Sequence, residues 1–229
     1  MNPLARAIIR GAAAPSVLTL PSANLLASWD ARVGVTEAGT GVSSWVSSPG
    51  SYDAVQATDA KRPSLVASAL GGKPVIRFTG ANADALIVTS MSDASTSYTI
   101  YMVANITTPS SQVIFWDSQS GRIFLDGDGV SSRRYFDGAY RTIGGAPSGT
   151  HAFTTVIAGT TVTGYEDGVS TGSSACTARS IGGKFAIGAN VYASNNPTCD
   201  IASLFVYTAA HDSTQRAAVH AYIAQEWGV

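Results

Sequence analysis

A pair of carboxylates is the first chemistry to seek in this chain, because retaining glycoside hydrolysis needs a nucleophile and an acid/base about 5 Å apart. Residues i and i+2 or i+4 of one strand share a face, so a single strand can present such a pair. The chain has three glutamates, Glu37, Glu166 and Glu226, and no two of them lie within five residues of each other. It has no Gly-x-Ser-x-Gly motif and neither cysteine has a recognisable catalytic context. The sequence therefore predicts that the protein is not an enzyme.

Metal binding has one weak candidate, the segment LDGDGV, in which Asp126 and Asp128 could bind Ca²⁺ through their carboxylates. A full calcium loop carries more acidic positions and a terminal glutamate, so a turn is the favoured interpretation of this segment. Zinc ligands would need to be four residues apart on a helix or close in space, whereas His211 and His220 are nine apart and His151 is distant in sequence. We expect surface or capping histidines, and no cofactor other than this candidate calcium ion.

The segment GYEDGVSTG brings Tyr165, Glu166 and Asp167 together in front of Gly168. An Asp-Gly pair suits a type I′ hairpin turn, whose two central residues both need positive φ. A turn is therefore favoured over a ligand-binding loop. In such a hairpin Tyr165 packs on one sheet face and Glu166 points into solvent on the other.

Exposed aromatic side chains beside amides and carboxylates would suit glycan binding, and three segments could supply them. Segments of this kind are more often loop filling or a protein interface than glycan sites. The candidate ligand-binding residues are Trp116, Asp117, Tyr135, Tyr140, Tyr192, Asn195 and Asn196.

Composition limits the partners that the protein can have. Charged residues make up 13% of the 229 residues and the formal net charge is -1, with no basic run, which argues against nucleic acid and an anionic membrane as main partners. No apolar run approaches the roughly 20 residues of a membrane span. Cys176 and Cys199 are either two free thiols or one disulfide, and the sequence leaves both open.

The secondary structure expected from the sequence is almost all β. Residues 1–24 have two prolines and no sustained periodicity, which predicts an N-terminal arm, and residues 25–229 form one domain. Short apolar runs are separated by Gly, Pro, Asn and Asp, as in strands joined by turns. Strands are predicted at 75–79, 85–89, 97–105, 112–117, 121–125, 151–158, 160–166, 184–188 and 200–207.

Details of these segments predict how the elements pack. The 97–105 strand carries bulky residues on both faces, so we place it centrally in a sandwich. Asp-Gly pairs at 126–127, 128–129, 137–138 and 167–168 predict hairpin turns. A C-terminal helix is predicted from the capping-box spacing of Asp212 and Gln215 and from Gly228 at the C-terminal cap. Its apolar stripe should pack on the sandwich, and the stripe consists of Val219, Tyr222, Ile223 and Trp227.

Four stretches in sequence order resemble the concanavalin A-like lectin/glucanase superfamily, in particular the laminin-G-like jelly-roll modules of bacteriophage virion proteins and bacterial surface proteins. They are LLASWDARVGV with the following run to RPSL, LGGKPVIRFTGANADAL, GYEDGV, and DIASLFVYTAAHDSTQRAAVHAYIAQEWG. Trp29, Trp45 and Trp227 coincide with packing positions of that family. Thr79 replaces an acidic residue that is frequent in the family near ligand loops. The resemblance implies an all-β, two-sheet antiparallel β-sandwich (a concanavalin A-like jelly roll) with one short C-terminal α-helix and an N-terminal arm.

The resemblance implies a non-enzymatic structural component of a bacteriophage particle, either capsid-decorating or tail-associated. The expected location is then the virion, and the expected partners are other virion proteins and further copies of the chain. The alternative is a carbohydrate-binding module that recognises host cell-surface glycans.

Overall fold

The computed structural model describes residues 17–49, 52–107, 113–119, 123–127 and 132–229. The expected calcium residue Asp128 lies outside these ranges, as does most of the N-terminal arm. Two short 3₁₀ helices occupy Asp59–Lys61 and Gly80–Asn82. The other elements are β1 Leu25–Asp30, β2 Val35–Ala38, β3 Gly41–Trp45, β4 Ala54–Val55, β5 Ser64–Leu70, β6 Lys73–Phe78, β7 Leu86–Met91, β8 Tyr98–Ile106, β9 Val113–Ser118, β10 Ile123–Gly127, β11 Ser132–Phe136, β12 Tyr140–Gly145, β13 Gly149–Ala158, β14 Thr161–Glu166, β15 Val169–Ala175, β16 Gly183–Ile187, β17 Cys199–Tyr207 and α1 Ser213–Trp227.

The strands form two large antiparallel sheets. Sheet A has the order β15-β14-β13-β8-β17-β6-β5, and β1 pairs with the second half of β17. Sheet B has the order β12-β11-β10-β9-β16-β7-β4-β3-β2. The predicted β-sandwich with one short C-terminal helix is confirmed.

The inner core lies between the two sheets and is rich in aromatic residues. The Phe185 ring stacks between Trp29 and Trp116, with ring centroids 5.8 and 6.0 Å away. Tyr98, Ile100 and Met102 of β8 point into the same core. The predicted central position of this strand is confirmed, because β8 pairs with both β13 and β17 and is bulky on its other face too.

Helix α1 covers part of the outer face of sheet A. Its first turn has the predicted capping box, in which the backbone N–H of Gln215 donates to Asp212 and that of Asp212 donates to Gln215. Gly228 ends the helix in the left-handed conformation at φ 74°. The buried stripe of α1 packs on the outward residues of β6, β8, β13 and β17, and this helix cluster contains Val75, Tyr101, Val103, Ala152, Ala202, Phe205, Tyr207, Val219, Ile223 and Trp227.

The two sheets approach each other closely where β12 meets β14 and β15. The Thr171 hydroxyl donates to the Ile143 carbonyl (2.6 Å) and the Ser174 hydroxyl donates to the Thr142 carbonyl (3.0 Å). A Cβ atom on Gly164 would overlap the Ile143 carbonyl oxygen. Glycine at this position therefore allows β12 to close this side of the sandwich.

One local prediction is wrong. Asp126 and Gly127 lie in β10, paired with Arg134 and Arg133, so this Asp-Gly pair is strand and not a hairpin turn. At the predicted arm, the Tyr207 hydroxyl donates to the Pro21 carbonyl (2.8 Å) and Leu20 packs on the helix cluster. The end of this segment therefore contacts the domain.

Candidate functional site

Two of the predicted ligand-binding aromatics lie in the inner core. Trp116 and Tyr135 are fully buried. The Tyr135 hydroxyl is 3.0 Å from the Tyr98 hydroxyl. The expectation that these rings lie in exposed loops is wrong, because both point inward from their strands.

Asp117 and the two predicted asparagines hold the 188–198 loop in place. Asp117 is fully buried and accepts a hydrogen bond from the backbone N–H of Val191 (2.8 Å). The Asn195 carbonyl accepts from the N–H of Ile114, and the Asn196 amide donates to the Asp84 carbonyl, both at 2.8 Å. Through these side-chain and backbone contacts all three residues have a structural role. Ligand binding by Asp117, Asn195 and Asn196 stays a prediction.

The remaining predicted aromatics are exposed. Tyr192 is 63% exposed in the 188–198 loop, and Tyr140 is 47% exposed at the start of β12. The Arg134 guanidinium lies 4.2 Å from the centre of the Tyr140 ring, and Phe136 contacts that ring edge-on. The predicted residues therefore divide among the inner core, one loop and one hairpin and do not form a single site.

The GYEDGV segment is the predicted hairpin turn, with Asp167 at φ 48° and Gly168 at φ 81°. The Asp167 carboxylate also accepts from the N–H of Ala152 (2.8 Å) and contacts His151 Nδ1 (2.7 Å). The orientation predicted for Glu166 is wrong. Its carboxylate faces the interior edge of the sandwich, 3.5 Å from the guanidinium of Arg133.

The expectation of surface histidines is also wrong for His211, which is 4% exposed. Its Nδ1 lies 2.9 Å from the Tyr101 hydroxyl beneath the start of helix α1. Burial, the largest influence, lowers the pKa of His211, and the same holds for His220, whose Nε2 lies 3.1 Å from the Thr154 hydroxyl. Both side chains are therefore neutral at pH 7.

Helix α1 leaves part of the outer face of sheet A uncovered. A row of polar side chains crosses the strands there. Strand register aligns Asn105 of β8 with Asp200 of β17, and Asp200 with Arg77 of β6. Thr150 of β13 continues the row beyond Asn105. Outward residues of neighbouring strands lie about 4.8 Å apart, so these groups can contact one bound molecule together.

The row lies in a groove of about 340 Å³, here called the sheet-A groove. Its lining residues are Arg77, Asn105, Thr107, Thr198, Cys199 and Asp200. Arg77 donates to both carboxylate oxygens of Asp200, from Nε at 2.7 Å and from Nη2 at 2.8 Å. This contact raises the pKa of Arg77 and fixes the guanidinium at one end of the groove.

Several polar groups in the groove are available to a ligand. Asn105 and Thr107 are exposed, and within the described ranges neither side chain has a hydrogen-bond partner. The Thr198 hydroxyl accepts from the N–H of Gly80 (3.2 Å) and can still donate. Burial raises the pKa of the Cys199 thiol far above its usual range, so this cysteine stays protonated and is a poor nucleophile.

None of the groove residues is among the ligand-binding candidates predicted from the sequence, although two of them carry a signal. Arg77 interrupts the apolar run PVIRF, and Asp200 begins the apolar run DIASLFVY. A single charged residue in an otherwise apolar strand usually needs a partner. The missing information was the strand register that aligns residues 77, 105 and 200.

Within the residues that the structure describes, no group of three His, Cys, Asp or Glu side chains could hold a metal ion. Calcium binding by Asp126 and Asp128 stays a prediction, because Asp128 lies outside the described ranges. The two cysteines, Cys176 and Cys199, are buried free thiols. No helix of the described ranges is long and apolar enough to cross a membrane.

The sequence matches no protein-family model and none of the curated proteins. Solved structures do match. The chain is similar to Trypanosoma rangeli sialidase in complex with sialic acid, with 15% identity, a TM-score of 0.62, and coverage of 90% of this chain and 34% of the sialidase. The covalent 2,3-difluorosialic acid intermediate of T. rangeli sialidase gives 14% identity, a TM-score of 0.60, and coverage of 98% and 36%.

A third match is the binding domain of botulinum neurotoxin DC in complex with SialylT. It has 9% identity and a TM-score of 0.57, and the match covers 86% of this chain and 51% of that one. At such identities the likeness shows the fold alone, a β-sandwich. The chain spans about a third of the length of the sialidases.

The sialidase matches correct one prediction from the sequence, that the protein is not an enzyme. That prediction relied on the missing pair of glutamates on one strand. Sialidases are enzymes, and the fold of this chain corresponds to about a third of their length. The missing pair excludes one arrangement of catalytic carboxylates and is no ground for excluding enzymes as a class. The comparisons show that the chain has the fold of a β-sandwich that also occurs in enzymes.

Proposed function

We propose that the protein is a carbohydrate-binding β-sandwich domain that contacts glycans through the sheet-A groove. The observation that carries this proposal is the row of Arg77, Asp200 and Asn105, which places donors and acceptors side by side in a groove on an open sheet face. Sugar hydroxyls both donate and accept hydrogen bonds. A site with a few convergent polar groups can therefore fix a sugar in one orientation.

The comparisons support this proposal at the level of the fold. A sialidase in complex with sialic acid and a toxin binding domain in complex with SialylT both contain a β-sandwich similar to this one. The groove itself is defined by residues of this chain and not by the matched structures. The domain could serve as the glycan-binding part of a larger protein, since it spans about a third of the sialidases.

The bacteriophage role rests on the sequence resemblance. None of the matched structures named above is described as a virion protein. Location in the virion, contacts with other virion proteins and self-association stay predictions. Binding to host glycans is compatible with that location but does not depend on it.

Binding to a glycan array, followed by titration of the tightest-binding glycan, tests the proposal. Asn105→Ala should weaken binding about fivefold or more, since one net hydrogen bond is worth about 1 kcal/mol. Thr89→Ala is the matched control, because Thr89 is an exposed strand residue on sheet B. It should leave the affinity unchanged. If no glycan binds, the proposed function is wrong; if Asn105→Ala binds as well as the wild type, the site is wrong.

A further inference from the structure

The charges in the sheet-A groove are already paired with each other. Among the described residues of its lining, Arg77 and Asp200 are the charged ones, and they form a bidentate ion pair at 2.7 and 2.8 Å. This described lining therefore has no net formal charge. Its other polar groups, the Asn105 amide and the hydroxyls of Thr107 and Thr198, are neutral.

A ligand carboxylate would have to compete with Asp200 for the Nε and Nη2 donors of Arg77. Asp200 is 9% exposed, so displacing it would leave a mostly buried carboxylate without these donors. The Arg77 side chain is 47% exposed, so the cost falls on the Asp200 carboxylate, a buried acceptor left unsatisfied. A carboxylate that instead stayed beside the intact pair would face Asp200, and like charges placed together in an interface are unfavourable. Neutral hydroxyl groups meet neither penalty.

The row also sets a minimum length for a ligand that contacts all of it. Arg77, Asp200 and Asn105 lie on three neighbouring strands, so the row spans about 10 Å at the usual strand spacing. That distance is about the length of two linked sugar rings. A glycan that uses the whole row must run across the strands and not along them.

We infer that the sheet-A groove selects a neutral oligosaccharide of at least two sugar units and discriminates against the same glycan capped with a carboxylated sugar. This inference rests on the proposed function and names its ligand class. It separates this chain from the similar proteins that were solved with sialic acid or SialylT.

Matched glycan pairs provide the test. Each neutral oligosaccharide on an array is compared with its own sialylated form, and the tightest pair is titrated against the full chain in solution. We expect the neutral member to bind at least about tenfold more tightly, which corresponds to roughly 1.4 kcal/mol. We also expect a disaccharide to bind more tightly than either of its monosaccharides.

Substitutions that change the charge of a groove residue and nearly preserve its size then test whether the selectivity comes from the groove. Asp200→Asn keeps one of the two acceptor oxygens for Arg77 but gives the groove a net positive charge, so the preference for the neutral member should fall about tenfold or reverse. Arg77→Gln has the opposite charge effect and should increase that preference. It serves as the second variant if Asp200→Asn does not fold, with folding checked by circular dichroism.

The possible outcomes separate the inference from the proposed function. Equal or tighter binding of sialylated members by the wild type overturns the inference and leaves glycan binding intact. A neutral preference that both variants leave unchanged also overturns it, because the selectivity then comes from another surface. Monosaccharides that bind as tightly as disaccharides overturn the length argument. Failure of every glycan to bind overturns the proposed function itself.

Discussion

Asp167 stabilises the β14–β15 hairpin through both its backbone and its side chain. Its φ of 48° lies in the left-handed region, which Asp and Asn tolerate better than most residues. Its carboxylate accepts from the N–H of Ala152 at 2.8 Å, and its own N–H donates to the Ala152 carbonyl at 3.0 Å. The turn is therefore tied to β13 as well as closed on itself.

Replacing Asp167 with alanine should lower the free energy of unfolding by about 1 to 2 kcal/mol, because the Ala152 N–H loses its partner and the left-handed backbone becomes less favourable. Asp167→Asn is the matched control, since it keeps an acceptor and tolerates positive φ, and it should retain most of the stability. Urea unfolding of both variants measures the difference. Equal stability of the alanine variant and the wild type would show that the side-chain contact contributes nothing.

The side chain of Glu166 points inward, although the hairpin turn that follows it was predicted correctly. Strand register pairs Glu166 with Phe153, whose side chain lies in the inner core, so both residues face inward. The Arg133 guanidinium on β11 is 1% exposed and stacks over Phe153 at 5.1 Å. Burial lowers the pKa of Arg133 to about 10, and the Glu166 carboxylate favours its charged form. The pattern of one strand could not reveal a buried cation on the other sheet.

At the scale of elements, glycine decides how closely β12 can approach β14 and β15. Gly164 and Gly172 both face Ile143, and the hydroxyl of Thr171 bonds its carbonyl. The low apolar content of β15, VSTGSSA, explains why the sequence did not predict this strand. Its small and hydroxyl-bearing residues suit a close approach of sheets more than a hydrophobic face.

Gly164→Ala should destabilise the protein by about 1 to 3 kcal/mol, because the new methyl group would overlap the Ile143 carbonyl oxygen and force the sheets apart. Gly145→Ala is the matched control. Gly145 ends β12, and a Cβ atom there would meet nothing within 4 Å. Thermal unfolding of the two variants compares them directly. A Gly164 variant as stable as the Gly145 variant would mean that the sheets can separate at this edge without cost.

At the scale of the whole molecule, the sequence predicted the sandwich because its long strands are strongly patterned. The 97–105 and 200–207 segments are apolar on both faces, and their strands β8 and β17 lie at the centre of sheet A. Helix α1 was predictable from its caps and its stripe. Strand β2 (VTEA) was not predicted, since it is short and three of its four residues are exposed. Strand β5 (SLVASAL) was not predicted either, because its apolar residues do not alternate with polar ones.

The candidate site could not be predicted to the same degree. Its residues are separated by 28 positions between Arg77 and Asn105 and by 95 between Asn105 and Asp200, and only strand order brings them together. The aromatic candidates were chosen for residue type. Of these, Trp116 and Tyr135 were misassigned, because the inward or outward direction of a side chain depends on the register of its strand.

The packing of helix α1 on sheet A should make the stability of the whole protein depend on pH. His211 and His220 have pKa values below their ordinary value of 6.5 because His211 is buried beneath the start of helix α1 and His220, a residue of the helix, is half-buried against sheet A. The charge of Arg216 lowers both pKa values further, and Asp212 or Asp167 opposes the shift. Between the lowered pKa and 6.5 the unfolded chain binds more protons than the native protein. The free energy of unfolding should therefore fall as the pH is lowered from 7 to 5.

Urea unfolding at pH 7, 6 and 5 measures this loss, and His220→Gln assigns it. Glutamine can keep a hydrogen bond to Thr154 but does not titrate, so the variant should lose about half as much stability as the wild type over this range. The carboxylates with lowered pKa values, Asp59, Asp137 and Glu226, lose their stabilising contribution mainly below about pH 5 and are common to both proteins. Asp84 acts in the opposite direction, because burial raises its pKa and protonation then favours the native state. A wild-type stability that is constant or rises between pH 7 and 5 would show that the two histidines can be protonated in place, and that helix α1 does not hold them in a dry environment.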